Sequence, residues 1–597
     1  MSTTGRPPQT GDEDPYPIRM RAAPTTTHEH AEEAVDVGSS LLRWLDDPDM
    51  GRGIHFADGA GGWAFRSYAE LAGSVAEAAG TLANAGLGTG GVVCIAVPGG
   101  PEFVAAFFGS LIAGGIPSPM APPLIFRSAE EYLSHLVRLL RAASPSMVVS
   151  DADLLPVVAG AVEAAGLKCG CLCLSLAGER CDLSARPPAG LALLQFTSGS
   201  SGNPRGVRIS WANLETQVAA LHEWVRWRQD DSVASWLPLY HDMGLIGVLL
   251  SAAVHRSNLW LLRPEHFLRS PALWLECLGR FGATITASPS FGYAYAANKV
   301  TASELKGMDF SRWRVAAVAA ERVDPAALDR FARLVAPHGF RREAFLPGYG
   351  LAEATLALTG SSLDALPMVA AVDRASLRFG GPVRVLERGV LDRAGDGGRG
   401  DWLVGCGRPL PGIRLWIVDA TGAPLGEGRL GEIVASGPCV AEGYQGVQAG
   451  SPTRFAPGGL YTGDAGFLLD GELFVLGRMG DSTKVRGRSL YAEDVEARLA
   501  AIPGVPAGRL VVVFGRFDGL DTVAAVVERE PGAWVEPAAR RLRSETGRST
   551  RVLILEVPRH TIPRTSSGKP RRRLLGQELM EGTLHATTLV DWRGGGA

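Results

Sequence analysis

Residues Leu194 to Ser210 read LQFTSGSSGNPRGVRIS, two apolar runs separated by a loop built almost wholly from hydroxyl-bearing residues and glycine. Thr197, Ser198, Gly199, Ser200, Ser201 and Gly202 place four hydroxyls and two glycines in one turn. That composition lets successive backbone N–H groups converge on a single anion. The preceding run, GLALLQF, reads as a buried strand, and Gly206-Val207-Arg208-Ile209 alternates with period two and reads as another. The mononucleotide loop GxxxxGK[ST] needs a lysine and a helix directly behind it, and the chain has Gly-Asn-Pro-Arg there, which excludes that motif. Alone, the loop is either a phosphate cradle or an ordinary mobile turn, and partners elsewhere in the chain must decide.

A chain of 597 residues is too long for one core and implies several domain-sized units. With 46% hydrophobic and 20% charged residues and a net charge of −3, nothing favours nucleic acid or an anionic membrane as partner. The longest apolar run, Phe103 to Ile116, falls short of the roughly 20 residues that span a bilayer, so a buried helix and no membrane span are expected. The opening MSTTGRPPQTGDEDPYPIRM has no apolar signal core, and the expected location is cytoplasmic. Eight cysteines are sparse; Cys169, Cys171 and Cys173 have the spacing of one strand face rather than of a zinc site. Only five of the 59 basic residues are lysine, so a lysine inside a motif stands out.

Residues 1–35 read as disordered. Beyond them, helical spacing from Tyr68 to Leu82, a strand at Val92 to Val97, a helix from Glu102 and strands at Met147 to Val149 and Leu259 to Leu262 predict an α/β architecture with mainly parallel sheets. In SWLPLYHDMGLIG (Ser235 to Gly247) a polar Tyr240-His241-Asp242 trio interrupts apolar sequence; His241 is either a core histidine bonded to Asp242 or a reactive group. In FLPGYGLAEAT (Phe345 to Thr355), Tyr349 between two glycines suits stacking on a planar ring and Glu353 suits a divalent ion, while a turn before a helix near Ala352 explains the same residues. Thr359 to Gly407 lacks periodicity and reads as loop. LYTGDAGF presents Asp464 at a turn, and Gly477 to Asp481 reads as a linker ahead of a small α+β domain at about 482–590. Near the end, TIPRTSSGKPRRR sets Lys569 behind a Ser-Ser-Gly loop within a basic run that is either a solvated face or a cation source.

Taken together, TSGSSGNPRG, LPLYHDMG, YGLAEAT, YTGD, GRMGD and the late SSGK resemble the adenylate-forming enzymes: acyl-CoA synthetases, firefly luciferase and peptide-synthetase adenylation domains. Over about residues 40–580 the wording is most similar to the fatty acyl-AMP ligases, in LQFTSGSSG, WLPLYHDMGLIG, LPGYGLAEATL, LVGCGRPLPG and VRGRSLYAEDVE. The resemblance implies a large adenylation domain over 36–480 with an insertion at about 359–407. A small mobile α+β lid over 481–597 would hinge at Asp481.

The implied chemistry joins a fatty acid to ATP with Mg²⁺, forming acyl-adenylate and pyrophosphate. The acyl group then passes to the phosphopantetheine of a separate acyl carrier protein. By the same resemblance, Thr197 to Gly202 hold the β- and γ-phosphates, Tyr349 and Gly350 meet adenine, Asp464 and Arg478 bind ribose, and Glu353 ligates Mg²⁺. Lys569 reaches the acyl carboxylate and α-phosphate, His241 lies beside that carboxylate, and Trp236, Met243, Ile246 and Phe291 line an acyl tunnel. Arg571 to Arg573 are expected to help dock the acidic carrier. The chain departs from the family pattern with Arg205 for a lysine, Val318-Ala319-Ala320-Glu321 where a glycine is common, Ser489-Leu490 for Asn-His and Ala492 for proline. Two other readings stand beside this one: an acyl-CoA synthetase, against which the insertion speaks, and a catalytically silent lipid- or nucleotide-binding module.

Overall fold

In a computed structural model the runs flanking the hydroxyl-rich loop pair antiparallel, Leu191–Thr197 against Arg205–Ser210, with Thr197 opposite Arg205 at the mouth. The structure describes residues 39–123, 128–174, 180–183, 190–197, 204–392, 401–446, 452–485, 488–506, 508–528, 531–565 and 569–593. The expected disordered segment 1–35 and the loop residues Ser198 to Gly202 lie outside them. Helix Trp211–Val225 follows the second strand without a break because Ser210 and Asn213 form a capping box, each side chain satisfying the other's backbone N–H.

The largest sheet has nine strands, in the order Arg408–Pro409, Ala357–Gly360, Phe345–Gly350, Val315–Val318, Ile285–Ser288, Val233–Ser235, Leu259–Leu261, Gly53–Ala57 and Trp63–Ser67. The six from Phe345–Gly350 to Gly53–Ala57 run parallel, and the edges are antiparallel. A second sheet of Ile116–Pro119, Val92–Ala96, Met147–Ser150 and Gly170–Cys173 is wholly parallel. Both are buried under helices such as Tyr68–Asn84 and Pro101–Ile112, which is why their strands are continuous Val/Ile/Ala runs rather than alternating ones. Cys171 and Cys173 do lie on one strand, and all eight cysteines are free.

Two regions correct the sequence reading. The described part of Thr359 to Gly407 is not all loop: Met368–Val372 pairs antiparallel with both Val385–Val390 and Asp401–Val404, a three-stranded sheet whose Ala370, Val372 and Leu403 share an apolar cluster with Phe467 and Phe474 of the neighbouring sheet. Its strands are short and Val385–Val390 is mostly exposed, so no long period marks them in sequence. The supposed linker starts later than expected, since Gly477 and Arg478 close strand Glu472–Arg478 and only Met479–Asp481 makes a turn of 3₁₀ helix.

Beyond that turn the chain builds a four-stranded sheet, Leu510–Phe517, Leu520–Val527, Arg551–Glu556 and Thr587–Trp592, covered by helices Ala492–Ala500, Val535–Thr546 and Arg572–Met580. Separate apolar clusters occupy its two faces. It meets the rest of the protein through polar contacts: Arg322 pairs with Asp494, Arg374 lies 3.5 Å from Glu545, and the Ser489 N–H donates to the Leu377 carbonyl (2.9 Å).

Candidate active site

Adjacent parallel strands of the large sheet deliver the candidate residues from their carboxyl ends, the crevice where open α/β sheets bind ligands. Val233–Ser235 leads into Trp236 and His241, Ile285–Ser288 into Phe291, Val315–Val318 into Glu321, and Phe345–Gly350 ends on Tyr349 and Gly350. Residues far apart in sequence thereby share one rim.

On one side of this rim Tyr349, Asp464 and Arg478 form a chain. The Tyr349 hydroxyl donates to Asp464 Oδ2 (2.7 Å), and Arg478 Nε lies 3.0 Å from Asp464 Oδ1. The strands Gly459–Leu469 and Glu472–Arg478 set the second contact by placing Asp464 directly opposite Arg478. Burial, and then the Asp464 charge, hold the Tyr349 phenol well above its ordinary pKa, while Asp464 raises the Arg478 guanidinium. Tyr349 is therefore a neutral ring and Arg478 a fixed cation. Gly350 is required sterically: a Cβ there would stand 1.8 Å from the Leu356 carbonyl oxygen. Gly350→Ala is expected to lose about 3 kcal/mol in denaturant unfolding, because neither backbone strand can move away.

On the other side Arg205, Tyr444 and Glu353 meet. The Tyr444 hydroxyl donates to Glu353 Oε1 (2.6 Å) and accepts from Arg205 (3.0 Å), whose guanidinium lies 4.8 Å from the Tyr444 ring centre and 4.0 Å from Glu353 Oε1. Arg205 and Glu353 side chains are only 8% and 5% exposed, so both charges are desolvated and need each other. Strand Gly443–Tyr444 pairs with Arg205–Ser210 and sets Tyr444 beside the loop mouth. Glu353 sits on a single 3₁₀ turn, Ala352–Ala354, rather than at the start of a helix. The turn stops at Thr355, whose φ of +65° is costly for a β-branched residue and is held by its hydroxyl donating to the Cys439 carbonyl (2.6 Å).

Beyond the strand Val233–Ser235, His241 Nδ1 lies 2.6 Å from Asp242 Oδ1. Burial pushes the Asp242 carboxyl up, but the His241 ring and the Met243 N–H outweigh it and leave it below its ordinary value, with the Lys569 ammonium acting in the same direction. Lys569 acts on Glu321 as well. That residue keeps a solvent-open face, yet desolvation of its carboxyl tip in the cleft raises it to about 7, against the Phe291 N–H (2.7 Å) and Lys569. Lys569, from the C-terminal domain, is thus near enough for its charge to act on both Asp242 and Glu321. Its own loop is pinned by the Thr565 hydroxyl accepting the Lys569 N–H (3.0 Å); Ser566 to Gly568 lie outside the described residues.

After His241 the chain winds as a π-helix, Leu245–Leu250, with the Ser251 hydroxyl donating to the Ile246 carbonyl (3.0 Å). Trp236 packs edge-on to Phe291 (5.5 Å) and stacks on Phe267 (4.1 Å), so two of the four expected tunnel residues touch. Met243 and Ile246 are buried in the same apolar core, and Phe291 is 42% exposed. Ala320, within the Val318 to Glu321 stretch where a glycine is common, has φ +71°. Ala320→Gly is expected to raise stability by about 0.5–1 kcal/mol, the relief of left-handed strain less the added unfolded-chain entropy, read as a higher melting temperature.

Asp481 lies in the turn between the two parts of the chain, its carboxyl raised by burial and pulled back by Arg572 (3.4 Å). Arg572 corrects the expected docking role of the basic run. It is buried and holds Glu496 through both carboxylate oxygens (3.1 and 2.7 Å), so its charge is spent inside the domain. The contacts that sequence reasoning missed, Tyr444 with Glu353 and Arg322 with Asp494, join positions too distant for any motif; the Gly-Tyr strand beside the loop is the sole signal for the first.

Comparison with known proteins agrees with this geometry. The AMP-binding enzyme family profile matches residues 53–445. The long-chain-fatty-acid–AMP ligase FadD26 of Mycobacterium marinum is 32% identical over 519 residues, 80% of this chain and 85% of the relative. A Caulobacter vibrioides protein with a provisional name as an acyl-CoA synthetase is 33% identical, over 86% of this chain and 90% of its own. A structure from a study of fatty acyl-adenylate ligases from E. coli and L. pneumophila superposes with a TM-score of 0.83 at 29% identity, covering 92% of this chain and 98% of that one. With two thirds of its length under the family profile and such relatives along most of the rest, the chain belongs to the AMP-binding enzymes, ligases that use ATP to adenylate an acid.

Proposed function

We propose that the protein is a fatty acyl-AMP ligase: it activates a fatty acid with ATP and hands the acyl group to the phosphopantetheine thiol of a separate acyl carrier protein. The observation that carries the adenylation step is the convergence of the Tyr349–Asp464–Arg478 and Arg205–Tyr444–Glu353 clusters, with the charge of Lys569, from the other domain, acting on nearby Asp242. A carboxylate oxygen of the acid attacks the α-phosphorus, the bond to the bridging oxygen breaks, and pyrophosphate leaves with the electron pair. The substrate is its own nucleophile, so the protein's contribution is positioning and charge. Tyr349 offers a ring face to adenine, Asp464 accepts from the ribose hydroxyls, and Lys569 offsets the charge that builds on the α-phosphoryl oxygens.

The residues present fit nucleotide and metal. Thr197 Oγ1 is buried at the loop mouth and has no hydrogen-bond partner among the described residues, which leaves it open to a phosphate. Among the described residues no hydrogen bond engages Glu353 Oε2, and a single carboxylate is what Mg²⁺ uses when phosphates supply most of its other ligands. Bound there, Mg²⁺ would offset charge on the phosphate oxygens.

Two features favour a carrier protein over free coenzyme A. The inserted sheet grips the C-terminal domain through Arg374–Glu545 and Leu377–Ser489, which restrains rotation of that domain about Asp481. Asp494 is likewise tied to Arg322. Incubation with ATP, Mg²⁺ and a series of fatty acids should yield acyl-AMP, little acyl-CoA on adding coenzyme A, and acyl transfer to a phosphopantetheinylated carrier. Abundant acyl-CoA would establish the synthetase reading instead, and no adenylate with any acid the silent module. No helix among the described residues is long and apolar enough to cross a membrane.

A further inference from the structure

A cavity of about 240 Å³ opens at the seam between the inserted sheet and the C-terminal domain, and none of its lining residues belongs to the site above. It is lined by Arg374, Arg488, Arg498, Arg541, Ser544 and Glu545. The four guanidinium groups come from four separate elements: the turn Arg374–Ser376 of the insertion, strand Arg488–Tyr491, helix Ala492–Ala500 and helix Val535–Thr546. Arg498 grips Glu545 through both oxygens (2.6 and 2.8 Å), Arg374 lies 3.5 Å from the same carboxylate, and Arg488 donates to the Glu545 backbone carbonyl (2.5 Å). Arg541 stands exposed at the rim. Thus one carboxylate lines the pocket together with four arginines and touches two of them, Arg498 and Arg374. The crowding registers on Arg498, lowered to about 10 by burial first and by the Arg322 and Arg541 charges, against the opposing pull of Glu545.

Such a pocket is costly unless an anion shares it, since buried like charges repel strongly at low dielectric. Guanidinium forks match the oxygen spacing of tetrahedral oxyanions, and several of them around one cavity favour a dianion over chloride or a carboxylate. We propose that this cavity binds a phosphate monoester or diphosphate, and that the bound anion bridges the inserted sheet and the C-terminal domain. Arg374 supplies the contact from the insertion, and Arg488, Arg498 and Arg541 those from the domain. Glu545 is the built-in competitor, occupying the arginines until the anion arrives. The inference stands independently of which acid the enzyme activates.

The test is calorimetric titration of the full-length protein in 150 mM NaCl with inorganic phosphate, pyrophosphate and O-phosphoserine. Binding that responds to changes at the seam belongs to this cavity, and binding indifferent to them belongs to the nucleotide site. Arg541→Ala, a change at an exposed position, and Arg374→Gln should each weaken the responsive component about tenfold. Glu545→Gln should tighten it at least threefold by removing the competitor. A misfolded variant loses affinity in every case, so the gain with Glu545→Gln separates the proposal from simple destabilisation. A preference for pyrophosphate identifies a free anion as ligand, and a preference for O-phosphoserine a phosphate carried on a polypeptide. Affinities within twofold of wild type in all three variants, or weakening by Glu545→Gln, would overturn the site. An effect of Arg541→Ala without one of Arg374→Gln would overturn the bridge.

Discussion

Lys569→Ala is expected to slow acyl-adenylate formation by about 10²–10³-fold, the usual loss when one charged donor is removed from a developing oxyanion. The reaction begins with a carboxylate meeting a triphosphate, so every approach is between like charges. Arg205 and Arg478 are each committed to a carboxylate partner, Glu353 and Asp464. Lys569 differs in that its charge is felt by Asp242 and Glu321, on two different strand ends, while its backbone belongs to the other domain. Among the described residues Lys569 forms no ion pair, so its charge is available to a substrate brought against it. The loss should fall on kcat more than on the KM for ATP, since the hairpin and Tyr349 still hold the nucleotide. Lys569 is exposed, so the alanine variant should keep its melting temperature. ATP–pyrophosphate exchange checks the result, and near-normal exchange would remove Lys569 from the mechanism.

That assignment shows which parts of the protein were legible in sequence. The hairpin around Thr197, the helix from Tyr68 and the parallel strands declare themselves because each is a local pattern: period two, period 3.6 or an unbroken buried run. Glu353, Asp464 and Lys569 were assigned through motif order, not through spacing that predicts contact. The inserted sheet was misread as loop because mostly exposed strands such as Val385–Val390 carry charged residues at positions a buried strand fills with valine. Arg572 was misread for the opposite reason. Three consecutive arginines look like a surface patch, yet the helix start turns the middle one inward onto Glu496, a contact spanning 76 residues. The Arg374–Glu545 seam was invisible on the same ground, since its four arginines lie in four separate elements and share no local period.

Glu353→Gln should produce the second large effect, about a 10²-fold loss of kcat/KM together with a rise in the Mg²⁺ concentration needed for half-maximal rate. Glutamine keeps the volume and an oxygen to accept from the Tyr444 hydroxyl, so the 2.6 Å contact survives while the charge does not. What is lost is the carboxylate that offsets Arg205 at 4.0 Å and that would hold the metal. Arg205 retains a neighbour in the Tyr444 ring, 4.8 Å from its guanidinium, which limits the cost of leaving that cation desolvated. Tyr444→Phe is the informative companion: it removes the hydroxyl that links Arg205 to Glu353 but leaves both charges in place. It should cost no more than about tenfold, the scale of one hydrogen bond to a charged group, with the Mg²⁺ dependence unchanged. If Glu353 served only to brace the loop mouth, the charge itself would not matter. Glutamine would then be tolerated at least as well as the phenylalanine at 444, and neither variant would shift the Mg²⁺ requirement. A shift confined to Glu353→Gln assigns the carboxylate to the metal rather than to the scaffold.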